Sequence, residues 1–118
     1  MATAINTEIT HRTVKFVKFT FTGNVTTTEA ETVEFYDGKF LHLVTSPSTA
    51  LVPAVNWDLK VLDNNGIDIL AGSGQNRSSG STQHLLSSTM GAIAGSRLRF
   101  VVANAGATGE GSVYAYIR

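Results

Sequence analysis

Apolar and polar residues alternate in short runs along most of this chain, the pattern of strands that bury one face. From Val14 to Thr22, Val17, Phe19 and Phe21 fall on one side, and Lys18, Thr20 and Thr22 on the other. Gly23-Asn24 predicts a turn, and a threonine-rich stretch from Val25 leads to Val33-Glu34-Phe35-Tyr36. Threonine is branched at Cβ and favours extended backbone. Asp37-Gly38 stands between two apolar runs and predicts a tight hairpin, since both residues tolerate positive φ. Its return strand is Lys39 to Val44, where His42 is expected on one face with Phe40 and Val44 as a partly buried, hydrogen-bonded histidine.

Ser46-Pro47-Ser48 and Pro53 bracket a loop between the two halves. Asn56 to Leu62 alternates again, with Trp57, Leu59 and Val61 on the core side. Asp63-Asn64-Asn65-Gly66 predicts a turn before Ile67 to Leu70. The last pair, Leu98 to Ala103 and Ser112 to Arg118, is expected as a hairpin joined by the glycine-rich stretch 104–111. About seven or eight strands at this spacing predict a single all-β domain over 1–118, an antiparallel β-sandwich or jelly-roll-like barrel.

Residues 71–96 break the alternation. They are rich in Gly, Ser and Thr and carry one formal charge, Arg77. A long loop is expected here, with 87–95 able to form a short helix or turn over the sandwich mouth. Ordering so many backbones is costly, so contacts with the body of the domain or with another chain must fix the segment. Chain ends normally fray, so residues 1–12 are expected to be held as an N-terminal contact arm.

Charge narrows the partners. Charged residues are only 15% of the chain, below the ~25% of typical domains, and the formal net charge is zero. Neither half is basic, so nucleic acid is not an expected partner. There is no cysteine, which removes disulfides and thiolate chemistry. No apolar run reaches the ~18 residues of a membrane-spanning helix, and the start shows no signal-peptide pattern.

Catalytic chemistry finds no purchase. His11, His42 and His84 have no acidic or histidine neighbour at a spacing that presents a metal site. No serine lies in a Gly-x-Ser-x-Gly elbow, and Arg77 stands where a dinucleotide loop would need its third glycine. Asp58, Asp63, Asn65 and Asp68 form the densest oxygen group, which could hold calcium. The plainer expectation is that Asp63 and Asn65 build the turn, with Asp58 and Asp68 flanking it. No enzyme activity, cofactor or metal is expected. Tyr114 and Tyr116 share the face opposite Val113, Ala115 and Ile117, an aromatic stripe suited to cover by a neighbour or to a sugar.

Several elements of the second half form a recognisable series: Trp57-Asp58-Leu59, Asp63, Gly66-Ile67-Asp68, Gly72, Gly74 and Asn76-Arg77. Leu98 to Ala103 then leads into Asn104-Ala105-Gly106, and Gly111-Ser112-Val113 runs to Tyr116-Ile117-Arg118. From Asn56 to Arg118 the chain resembles small β-sandwich proteins of tailed-bacteriophage virions, the head-decoration (cement) proteins and related head or neck components. The resemblance implies a virion protein, assembled in the host cytoplasm, that binds the major capsid protein or other virion proteins and stabilises the head by bridging capsomers. It also implies a homo-oligomer, with a trimer favoured. The alternative is a carbohydrate- or receptor-binding appendage of a virion. Expected contact residues are Ile5 in the arm, Asn76, Arg77, Leu85, Leu86, Met90 and Ile93 in the 71–96 segment, and Tyr114 and Tyr116. Arg77 is the expected anchor, because a guanidinium makes bidentate bonds.

Overall fold

Alternation decides which side each strand buries, and the structure, a computed structural model, shows this over residues 3–86, 88 and 90–118, which are those it describes. The strands are β1 (Ala4–Ile9), β2 (Lys15–Thr22), β3 (Thr27–Glu31), β4 (Tyr36–Pro47), β5 (Asp58–Leu62), β6 (Gln83–Leu86), β7 (Ala92–Ser96), β8 (Arg99–Ala103) and β9 (Glu110–Ile117). They build two antiparallel sheets. The larger runs β1-β2-β9-β4-β6, with β7 also paired to β4, and the smaller runs β3-β8-β5. The protein is therefore an all-β antiparallel sandwich. No helix among the described residues is long and apolar enough to cross a membrane.

The core lies between the sheets. Val17, Phe19 and Phe21 of β2, Phe40 and Leu43 of β4, and Val113, Ala115 and Ile117 of β9 are fully buried from one side. Leu59, Val61 and Phe100 are fully buried from the other, with Trp57 and Leu98 completing the layer. Phe19 stacks on Phe100 at 5.3 Å between ring centroids, and Phe21 meets Trp57 at 4.9 Å. Each such side chain contributes about 1.5–3 kcal/mol on burial. Trp57 also donates its indole N–H to the Ser78 carbonyl at 3.0 Å, so its one polar atom is satisfied inside.

Among the described residues nine strands replace the seven or eight expected, because three weakly patterned segments pair and two apolar runs do not. β1 reads poorly because a register shift between Ile5 and Thr7 interrupts its alternation. The expected contact arm is thus an edge strand paired to β2 from Ala4 to Ile9, with Met1 and Ala2 outside the described residues. β6 and β7 are short and lie end to end along one edge of β4, so nine described residues of 71–96 are sheet and most of the other described ones are loop. Residues 92–95 are strand, not helix; Ser87 and Thr89 lie outside the described residues. Ile67 to Leu70 makes turns, burying Ile69 and Leu70 and leaving Ile67 exposed.

Two expected hairpins are absent for reasons of backbone geometry. Asp37-Gly38 lies inside β4, which runs unbroken from Tyr36 to Pro47. Gly38 is needed because a Cβ there would stand 2.2 Å from the Arg118 carbonyl oxygen, and φ is +112°. Lys39 and Arg118 exchange both backbone hydrogen bonds, at 3.0 and 2.9 Å. The glycine serves a close approach of two chains, not a turn. The stretch 104–109 is no hairpin loop either: β8 lies in the small sheet and β9 in the middle of the large one, so it carries the chain across the sandwich.

The remainder of 71–96 is fixed from within the chain. The Leu59 N–H donates to the Gly74 carbonyl at 2.8 Å, Arg77 N–H to Trp57 at 2.6 Å, and Gly91 N–H to Ile69 at 2.8 Å. A Cβ at Gly74 would stand 2.1 Å from the Leu59 carbonyl oxygen, which explains the glycine. These bonds tie Gly74, Arg77 and Gly91 to the body of the domain.

Candidate functional site

The oxygen-rich turns are a structural device. Asp68 Oδ1 accepts from the Val61 and Leu70 N–H groups at 3.2 and 3.1 Å, and its Oδ2 accepts from Gly72 at 3.0 Å. Asp63 Oδ1 accepts from Asn65 and Ile67 at 2.9 and 3.0 Å. Asp58 accepts from the Asn76 N–H at 2.9 Å and from the Asn104 amide at 2.6 Å. Each carboxylate faces its own donors. Among the described residues no three His, Asp or Glu side chains converge as a metal site would require.

Glu8 acts in the same way on β1. Its carboxylate accepts from the Val33 and Glu34 N–H groups at 3.0 and 3.1 Å and from the Tyr36 hydroxyl at 2.9 Å. Burial, then the bond to Glu8 and the negative charges of Glu8 and Glu34, pushes the Tyr36 phenol well above its ordinary pKa.

The expected contact residues divide. Leu85, Met90 and Ile93 are 9%, 5% and 3% exposed and belong to the core of this chain, which corrects their assignment to a contact surface. Alternation in β6 and β7 turns Leu85 and Ile93 inward while leaving Leu86 and Ala92 outside. Ile5 packs against the same core from β1. Asn76 takes a left-handed backbone, φ 56°, above Asp58. Arg77 donates from Nε and Nη2 to the Gln75 carbonyl at 3.3 and 3.1 Å and staples its own loop; burial lowers its pKa. Tyr114, Tyr116 and Leu86 reach the outer face of the large sheet.

That outer face carries a row of rings across four strands. Pairing sets Ile9 beside Phe16, Phe16 beside Tyr116, Tyr116 beside His42, and His42 beside Leu86. The next row sets Lys18, Tyr114, Val44 and His84 abreast. Phe16 lies 5.2 Å from Tyr116 and 6.3 Å from Tyr114, His42 lies 4.4 Å from Tyr116 and 5.9 Å from His84, and Lys18 Nζ stands 5.7 Å from the Tyr114 ring centre. A register shift between Phe40 and His42 creates this face: it sends Phe40 into the core and His42 outward, so the two do not share a side as expected. The alternation of β9 revealed the tyrosines and that of β2 places Phe16 with Lys18 on the outer side; nothing in the sequence revealed that His42 and His84 would join them.

A second exposed surface gathers at one end of the sandwich. The Gly23 N–H bonds to the Gly109 carbonyl at 2.6 Å, Ala54 N–H to Ala105 at 2.9 Å, and Glu110 N–H to Leu51 at 2.8 Å. These bonds bring the loops 23–26, 48–56 and 104–109 together. None of them contains a charged residue. They expose Val25 (84%), Leu51 (47%), Val52 (53%) and Val55 (74%). A shallow hollow of about 260 Å³ beside Val52 is lined by Pro47, Ser48, Thr49, Ser79 and Gly80, so the tip of 71–96 borders this end.

No protein-family model matches the chain, and no curated protein matches it. Among solved structures it is similar to a low-affinity xylan-binding module, CBM86, of the gut symbiont Roseburia intestinalis: 12% identity over 98% of this chain and 89% of that one, TM-score 0.49. It is similar to FlhE at 11% identity over 89% and 97%, TM-score 0.44, and to a cupin domain of Bordetella pertussis Tohama I at 14% over 98% and 93%, TM-score 0.40.

Proposed function

We propose that this chain is a non-enzymatic structural protein of a virion, which seats its uncharged aliphatic end on the capsid and ties neighbouring capsomers together. The observation that carries this reading is the exposure of Val25, Leu51, Val52 and Val55 on three loops without a single charge. Interface centres are depleted of charged groups, because burying a charge without a partner is costly while burying an aliphatic side chain is favourable. Each valine or leucine buried in such a contact contributes up to about 1.5–3 kcal/mol. Repetition over symmetric copies, as a homo-oligomer of trimer type, multiplies a modest contact into firm attachment. The resemblance of residues 56–118 to head-decoration proteins supports the same reading.

The test is cosedimentation of the purified chain with capsids prepared without it. The wild-type chain is expected to sediment with the capsids and to raise their resistance to heat. Val52→Asp and Val55→Asp are each expected to weaken attachment at least about tenfold, since a charge must be desolvated in the contact. Circular dichroism should show their fold unchanged. Capsids equally robust with and without the chain would overturn the proposal.

A further inference from the structure

We infer that the corner of the large sheet where β1 meets β2 binds one pyranose ring of a glycan, stacked on Tyr116 with Phe16 beside it. An open depression of about 630 Å³ lies there, lined by Ile9, Arg12, Thr13, Val14, Phe16 and Tyr116. Its volume falls within the ~300–1,000 Å³ of small-molecule sites, and its lining follows their rule of apolar walls with a few polar groups.

The chemistry of the lining selects the ligand. A pyranose presents a face of C–H bonds and a rim of hydroxyls. The two rings stand 5.2 Å apart and tilted by 50°, so the C–H face lies flat on Tyr116 while Phe16 borders its edge. Arg12, Thr13 and the Tyr116 hydroxyl supply hydrogen-bonding groups around it, and none makes a side-chain hydrogen bond among the described residues. An arginine fork spans two neighbouring oxygens, as vicinal hydroxyls present them. No carboxylate lines the depression, so nothing competes for the guanidinium.

Other ligands fit less well. Stacked bases of single-stranded nucleic acid need a track of cations along the backbone; this face offers Arg12 and Lys18, while Lys15 leans on the Asp37 carbonyl at 3.4 Å. A metal has no cluster to occupy among the described residues. A protein partner would cover the whole outer face rather than one corner, and that outcome is separable by experiment.

The site lies on a different surface from the capsid-binding end, so the two proposals fail separately. Purified full-length chain is applied to an array of neutral and uronate-bearing oligosaccharides, and binding is quantified by calorimetry with maltohexaose, cellohexaose and tetragalacturonate. At least one is expected to bind. Tyr116→Ala should weaken it at least about tenfold, and Tyr116→Phe by about threefold, because the stacking face survives and only the hydroxyl is lost. Val55→Asp should bind the glycan as wild type does, and Tyr116→Ala should still sediment with capsids. A blank array together with silent calorimetry, or a Tyr116→Ala chain that binds unchanged, overturns the assignment. A blank array with loss of cosedimentation in Tyr116→Ala overturns it in favour of a protein contact on this face.

Discussion

The turn region 57–77 and the outer face of the large sheet both concentrate polar chemistry, and they use it oppositely. In the turns, Asp58, Asp63 and Asp68 between them take seven hydrogen bonds from this chain's own groups, six from backbone N–H and one from the Asn104 amide. On the sheet face, Tyr116, His42 and His84 touch in series through their rings, Phe16 links Tyr116 to Tyr114, and none of these tyrosines and histidines makes a side-chain hydrogen bond among the described residues. These carboxylates are turned toward their own N–H donors, two bonds each on Asp58 and Asp63 and three on Asp68, rather than toward one common point. Rings with unoccupied polar tips at the surface keep both their flat area and their hydrogen-bonding capacity for a partner. Density of oxygen ligands in the sequence therefore marks local architecture here, and unoccupied capacity marks the candidate site.

Removing Asp68 is the strongest way to break this contrast. Asp68→Ala strands the N–H groups of Val61, Leu70 and Gly72 and should cost about 2–4 kcal/mol in urea unfolding, while excess EDTA leaves the wild-type midpoint unmoved. A midpoint for Asp68→Ala equal to wild type would show the turn to be held some other way.

Tyr36 sharpens the contrast through pH. Its raised pKa means that the folded state favours the neutral phenol. Stability from this group is fully present below about pH 10, the ordinary tyrosine value, and is lost as pH rises beyond it. Tyr36→Phe should cost about 1 kcal/mol at neutral pH through the lost bond to Glu8, and should flatten the alkaline fall. An alkaline fall as steep in the variant would assign the effect to another group.

The smallest effect is expected at Arg77. Its guanidinium is engaged with the Gln75 carbonyl of its own loop, so Arg77→Ala should change stability by less than about 0.5 kcal/mol and leave cosedimentation with capsids intact. A large loss of attachment would return Arg77 to the role of anchor.

Local pattern made the core strands legible. Val17, Phe19 and Phe21, then Trp57, Leu59 and Val61, then Val113, Ala115 and Ile117 all alternate, and all nine are fully buried. Period two suffices for a strand with one face inward. It failed where the backbone departs from a regular pleat: the shifts in β1 and in β4 change which face a residue takes without changing its neighbours in sequence. It failed again at Asp37-Gly38, where the glycine answers to Arg118, eighty positions away. The candidate sites were legible only in part. Tyr114 and Tyr116 could be read as a stripe, whereas Arg12 and Thr13 precede β2 in an exposed loop with no local signature.

By itself, the sequence determined an all-β domain with its main core faces, because alternation and turn chemistry act between near neighbours. Tertiary structure alone decided that the aspartates are occupied, that Leu85, Met90 and Ile93 are core, and that three uncharged loops share one end. Those outcomes depend on which strands pair and on where the chain crosses between sheets. Pairing joins residues far apart in sequence, and no local pattern encodes it.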